Sequence, residues 1–203
     1  MVILQIIVFI ESGCSPIGLL WAMFSTQLIK KTYSAFEIWL LSGLTYILNG
    51  LFLELYPGKR IQTKYSLSLY EIFPTVLFNF FSTVLLTFVK LNENITNEIY
   101  GPLYLISAGI GNELIYAPVH RLLHTNHFYK YHSLHHKQTT PRALGAIFCS
   151  TFEMWVANIS SFLVPLYILN APSSIFLIWI VSGIQTSQLH HSNKKYFWCF
   201  GNQ

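Results

Sequence analysis

The sequence predicts an all-α fold: a multi-pass membrane helical bundle carrying a histidine-box region on its cytosolic face. Three observations carry that expectation. Of the 203 residues, 53% are hydrophobic and only 10% charged, with mean hydropathy +0.46, against roughly 25% charged residues in an ordinary soluble domain. Apolar stretches near the ~20 residues that a spanning helix needs recur along the chain. Six of the eight histidines (His120, His124, His127, His132, His135 and His136) crowd into one segment. This composition excludes a disordered or ordinary soluble protein. A net charge of +4, diluted by so much apolar sequence, speaks against nucleic-acid binding. The three cysteines are odd in number and widely spaced, so neither a disulfide framework nor a thiolate metal site is expected. All eight acidic residues are glutamates.

In chain order, residues 2–29 are apolar but interrupted by Glu11-Ser12-Gly13 and by Pro16, which allows one bent span or a re-entrant hairpin. No cationic segment precedes them, so a cleaved signal peptide is the weaker reading. Clearer spans are Phe36–Leu55, Tyr70–Val89, Pro102–Val119, a long stretch Leu144–Leu169, and Ser173–Leu189. The last two are separated only by Asn170-Ala171-Pro172 and pair as a hairpin. Residues 1–100 read as N-terminal membrane helices and residues 101–203 as the histidine-bearing region, with no repeat or linker between them.

Loop charges give an orientation. Lys59, Arg60 and Lys64 lie between the second and third stretches; Arg121, Lys130, Lys137 and Arg142 surround the histidines; Lys194 and Lys195 follow the last stretch. Loop 91–101 carries Glu93 and Glu98 and no cation. By the positive-inside rule the histidines are expected in the cytosol and loop 91–101 in the lumen. Lys30-Lys31 conflict with that rule unless residues 1–29 form a re-entrant hairpin. Asn94-Ile95-Thr96 is a glycosylation sequon on the expected lumenal side, a short motif that decides little. Asn158-Ile159-Ser160 falls within a span and reads as polar glue between helices.

His120-Arg121-Leu122-Leu123-His124 has H-x3-H spacing, and on a helix positions i and i+4 share a face. His132-Ser133-Leu134-His135-His136 is H-x2-HH, whose i, i+3 and i+4 positions also share a face. Imidazole suits zinc, copper, iron and nickel. Five converging nitrogens exceed what one tetrahedral zinc takes, which favours a two-metal or open site. A zinc-protease helix needs a glutamate directly after the first histidine, and Arg121 stands there. Satisfied histidines at helix ends are the bland reading for His127 or His190 singly. For five at these spacings that reading strands too many polar groups.

With both boxes in place, "HRLLHTNHFYKYHSLHH" resembles the fatty acid hydroxylase/sterol desaturase superfamily. Tyr129-Lys130, Pro141, Ala143, Glu153 and Asn158 add to the resemblance, which covers roughly residues 100–193. It implies an integral membrane, non-haem di-iron enzyme, typically of the endoplasmic reticulum, that uses O2 to hydroxylate or desaturate a lipid. It also implies an electron donor such as cytochrome b5 or a reductase, which the cations around the boxes are placed to attract. The implied iron ligands are His120, His124, His132, His135, His136 and His191, with His190 a weaker candidate. Glu113, seven residues before His120, is a candidate to orient an imidazole from behind, and Glu153 is placed for the same role. Tyr116, Phe128, Phe148 and Trp155 are candidates to line a sterol or acyl cavity, against a plainer role in packing.

The family has a third H-x2-HH box. Aligned there, His190-His191 would be its final pair, with Ser187 where the first histidine belongs. His191-Ser192-Asn193 fits better as the element ending the last membrane helix, with the third box expected about 20 residues or more beyond it. On that expectation the chain lacks a C-terminal iron-binding segment. The alternatives are then an inactive relative that binds lipid or a partner, or a histidine-lined metal transporter. The pattern tilts toward the sterol branch.

Overall fold

Serine caps start several of the helices. Ser34 and Ser68 each close a capping box, their hydroxyls accepting from the backbone of Glu37 and Glu71 while those carboxylates accept from the serine N–H groups. Ser15 caps a helix whose first residue is Pro16, a position where the missing N–H is no loss. The computed structural model describes residues 2–56, 59–60, 67–95 and 99–195. Lys64, Thr96 of the sequon, Glu98 and Cys199 lie outside the described residues.

The elements are α1 (Val2–Glu11), α2 (Pro16–Leu28), α3 (Ala35–Leu55), α4 (Leu69–Ser82, continued by a 3₁₀ turn Thr83–Phe88), α5 (Gly101–Leu123) and α6 (Tyr129–His136). After a 3₁₀ turn at Ala143–Gly145 come α7 (Thr151–Glu153), a π turn Met154–Ile159, α8 (Ser160–Ile168) and α9 (Ser173–His191). The backbones of Lys59–Arg60 and Lys194–Lys195 pair as a two-residue antiparallel ladder. The fold is therefore helical, as expected. Among the described residues two helices, Ala35–Leu55 and Leu69–Phe88, are long and apolar enough to cross a membrane.

Residues 2–28 form a helical hairpin rather than one bent helix. Its legs of 10 and 13 residues measure about 15 and 20 Å, short of the ~30 Å hydrocarbon core. The turn needs left-handed backbone at Gly13 (φ 74°) and Cys14 (φ 52°). A Cβ on Gly13 would stand 2.7 Å from Leu189 Cδ2. The Thr186 hydroxyl donates to the Glu11 carbonyl, tying the hairpin tip to α9.

The expected span Leu144–Leu169 is corrected: regular helix begins only at Thr151. Residues 143–150 are held outside a helix because side chains from other elements take their carbonyls. Tyr46 donates to Leu144 O (2.8 Å), and the Asn79 amide donates to Ile147 O and Cys149 O (2.9 Å each). Ser150 then caps the new helix at Glu153 N.

α9 is the central helix, with residues from Ile175 to Trp179 all buried. It runs parallel to α3: Tyr33 N donates to Ser173 Oγ at one end, and Gln188 meets Asn49 and Tyr46 at the other. Buried polar residues run alongside the apolar core, and the exterior is apolar as well. Asn49, Asn79, Ser161, Ser182, Gln185 and Gln188 are buried, while Leu44, Leu48, Phe73, Phe78, Ile110 and Leu114 face outward. An apolar exterior around a polar-seamed interior suits a hydrocarbon surround.

Candidate metal centre

Every clustered histidine stands on or beside the last turn of a helix. α5 presents His120 and, at its cap, His124; the i, i+4 spacing puts their Nε2 atoms 3.2 Å apart. The short loop 125–128 turns the chain into α6, which brings His132 Nε2 to 3.2 Å from His124 Nε2. These three form one group with all ligand atoms within 4.8 Å of one another. His136 flanks it, its ring centroid 4.5 Å from His132 and 5.1 Å from His124. His135 stacks on His132 (ring centroids 5.5 Å) and also meets His191 at the end of α9, with centroids 5.7 Å apart. Thus the six expected ligands are brought to one end of the bundle as a tight triad with His136 beside it, and His135 joins the triad's His132 to His191.

The ring environment favours neutral imidazole. Burial, then the surrounding imidazoles, push His132 down to about 4; burial, then His191, do the same for His135. The neutral ring is the ligating form. His191 Nδ1 stands 2.8 Å from the Ser187 carbonyl, which selects the Nδ1–H tautomer and leaves Nε2 for a ligand. Tyr116 stacks on His120 and Tyr129 on His136 (centroids 5.2 and 6.0 Å), holding both rings in place.

The residues fit a metal. Nitrogens bonded to one ion at ~2.1 Å lie about 3.0 Å apart at right angles and about 3.4 Å apart in a tetrahedron. The observed 3.2 Å separations fall between these values. Among the described buried atoms, His120 Nδ1 and Glu153 Oε2 lack hydrogen bonds. A buried polar knot of this kind is expensive unless something other than protein completes it. The donor set is nitrogen-rich with one adjacent carboxylate, a set that suits iron, zinc or copper.

Glu153 is the carboxylate in contact with the cluster. Only 4% exposed, it places Oε1 2.9 Å from His132 Nδ1 and 4.0 Å from His135 Nδ1. Glu113 lies on the exposed face of α5. Seven residues carry it about 10.5 Å along the axis from His120, beyond the reach of its side chain to that ring. His127 is exposed on the loop after α5; His190 is exposed, 5.7 Å from His191. Arg121, Lys130 and Lys137 are exposed around the site, whereas Arg142 pairs with Glu54 on α3 at 3.3 Å.

Two residues that the sequence motifs do not include hold this geometry. Ser150 donates to the Tyr131 carbonyl (2.5 Å) and accepts from Glu153 N, locking α6 to the start of α7. Asn79 braces the same loop from α4 and also accepts from Thr151 Oγ1 at 3.0 Å. A lone buried amide in an apolar helix is the available signal for Asn79; a cap serine ahead of Glu153 is the signal for Ser150.

Residues 105–202 match the model of the family described as fatty acid hydroxylase. No curated protein and no solved structure matches the chain.

Proposed function

Since the chain belongs, through residues 105–202, to the fatty acid hydroxylase family of the fatty acid hydroxylase/sterol desaturase superfamily, we propose that it is an O2-dependent membrane lipid oxidoreductase. It hydroxylates or desaturates a sterol or fatty acyl chain at a histidine-held di-iron centre. The observation that carries this reading is the convergence of His120, His124 and His132 at the end of an apolar bundle, inside the matched region.

Two irons are the cofactor this reading requires, with O2 as co-substrate. His120, His124, His132 and His136 would hold one, and His135 and His191 supply ligands to the other. When bound, iron supplies the oxygen activation that an unactivated C–H bond demands. The protein's part is placement. Tyr116 and Tyr129 fix ring planes, and the Ser187 carbonyl and the Glu153 carboxylate face Nδ1 atoms so that Nε2 atoms are presented. The apolar exterior admits a substrate that water would not carry.

In this reading the chain is a multi-pass protein of the endoplasmic reticulum with its boxes toward the cytosol. The exposed Arg121, Lys130 and Lys137 dock an acidic electron donor such as cytochrome b5 or a reductase. The ligands stand at helix ends, not along a path through the bundle, which disfavours metal transport.

Anaerobic loading of the purified full chain with ferrous iron tests this, followed by incubation with O2, reductant and membrane lipid. Two irons per chain and O2-dependent lipid oxidation are expected. No iron uptake, with zinc retained at a single site, refutes the reading.

A further inference from the structure

Glu153 has two features that a merely paired carboxylate does not need. Its Oε1 faces Nδ1 of two different histidines, one in the triad and one in the His135–His191 pair. It also stands immediately before a π turn, Met154–Ile159, within an otherwise α-helical run.

The π turn has a geometric use. One extra residue rotates the downstream helix by about 100° relative to the upstream turn. Downstream, α8 is committed to packing: Phe162 lies against Trp179, whose Nε1 donates to the Phe162 carbonyl (3.0 Å), and Pro165 lies against Gly111. Upstream, the Ser150 cap and the Asn79 amide hold the first turn against α6 and α4. The bulge lets these two demands differ, so Glu153 can be aimed at the histidines while α8 keeps its register. π turns tend to occur at functional sites for this reason.

We propose that Glu153 is a positioning residue that orients ligands in both halves of the centre. His132, 2.9 Å away, carries its proton on Nδ1 toward the carboxylate and presents Nε2 to metal, whereas His135 at 4.0 Å lies beyond hydrogen-bond distance and feels the carboxylate through its field. A carboxylate has acceptor sites for both rings. The proposal rests on the metal reading above and adds to it a physical link between the triad and the pair. Gln at this position keeps the shape but offers one acceptor oxygen, and its NH2 group opposes a second Nδ1–H. The His135–His191 pair, with fewer ligands of its own, depends on this link more than the triad does.

The test compares wild type, E153Q and E153D as purified full chains, titrated anaerobically with ferrous iron. Thermal unfolding of the metal-free proteins is measured alongside. Ligand-orienting residues of this kind typically change affinity by about 10–100-fold. E153Q is expected to weaken iron binding by that factor, with stoichiometry falling from two toward one. Its metal-free form should be about as heat-stable as wild type, because burial lifts the Glu153 carboxyl to about 8 and the amide copies the shape of that neutral acid. A merely structural role predicts the opposite: lower stability with unchanged affinity per folded chain. If E153Q does not fold, E153D carries the test, since it keeps the carboxyl group but withdraws it from both rings and should weaken binding in the same direction. Wild type that takes up no iron overturns the metal reading and this proposal together. Wild type that loads two irons beside folded variants of equal affinity overturns this proposal alone.

Discussion

Replacing Asn79 with alanine should loosen the centre from a distance. Asn79 is fully buried on α4, and its amide nitrogen donates to Ile147 O and Cys149 O at 2.9 Å while its oxygen accepts from Thr151 Oγ1 at 3.0 Å. Truncation strands two carbonyls and one hydroxyl in the segment that delivers Ser150 and Glu153. Interhelical hydrogen bonds in membrane proteins average about 0.6 kcal/mol and reach about 1.7, and those in soluble proteins centre near 1. Three of them give about 2–4 kcal/mol. The assay is reversible unfolding of the metal-free protein in mixed detergent micelles, run on wild type, N79A and N79L. Leucine keeps roughly the volume and removes the bonds, so both variants should fall by about the same amount. A change below about 0.5 kcal/mol in both refutes the bracing role, and a loss confined to N79A assigns the effect to a cavity.

Single contacts carry the other expected outcomes. His124 touches both other members of the triad at 3.2 Å, so H124A should abolish tight ferrous binding at that position, read by anaerobic titration. H127A, at an exposed position away from the cluster, should leave loading and stability unchanged. A Cβ on Gly111 would stand 2.6 Å from Pro165 Cβ and 2.7 Å from its Cγ. Neither the rigid ring nor the helix can step aside, so G111A should cost about 1–3 kcal/mol in the same unfolding assay. Acid should destabilise the metal-free protein. His132 and His135 are held down at about 4 from 6.5, so between these values the unfolded chain binds more protons than the folded one. Stability present above pH 6.5 is therefore lost as pH falls toward 4, offset in part by Glu153, which burial lifts to about 8 so that the folded chain takes up that one proton first. An unfolding midpoint flat across that window contradicts the neutral, buried rings.

How much is legible in the sequence depends on the range of the interaction that decides each feature. H-x3-H and H-x2-HH are local helix arithmetic: His120 meets His124, and His132 stacks on His135, at those spacings, whereas the turn 125–128 is what brings His132 to the first pair. The 2–28 hairpin is one of two local readings, and Gly13 with Cys14 selects it. The start of the long apolar stretch is not legible, because hydropathy does not register long-range partners. Tyr46 and Asn79, from α3 and α4, capture the carbonyls that a helix would have used. The direction of His135 is equally hidden. In H-x2-HH it shares a face with His132, on which it stacks, but its contact with His191, more than fifty residues away, arises because α9 ends beside α6. Glu113 and Glu153 are near-equal candidates on sequence grounds. Only the packing of α7 against α6 puts one of them within 2.9 Å of an imidazole.

The arrangement of helix ends adds a reason for the histidines' positions. α5, α6 and α9 each finish at the cluster, with His120, His135–His136 and His190–His191 in their last turns. A helix C-terminus carries roughly half a negative charge from its unpaired carbonyls. Three such ends facing one site make it electronegative without a carboxylate ligand, which offsets the positive charge of metal ions held by neutral imidazoles. On the proposed metal reading, this would let a segment bordered by Arg121, Lys130 and Lys137 still accept dications. It also explains why one buried acid suffices there. Extra carboxylates would add desolvation cost at a site whose backbone already supplies negative potential. Iron affinity should accordingly respond more to disrupting the α9 terminus than to neutralising the exposed cations. An Arg121, Lys130 and Lys137 triple alanine variant should bind iron as wild type does, and a fall in its affinity would count against the helix-end account.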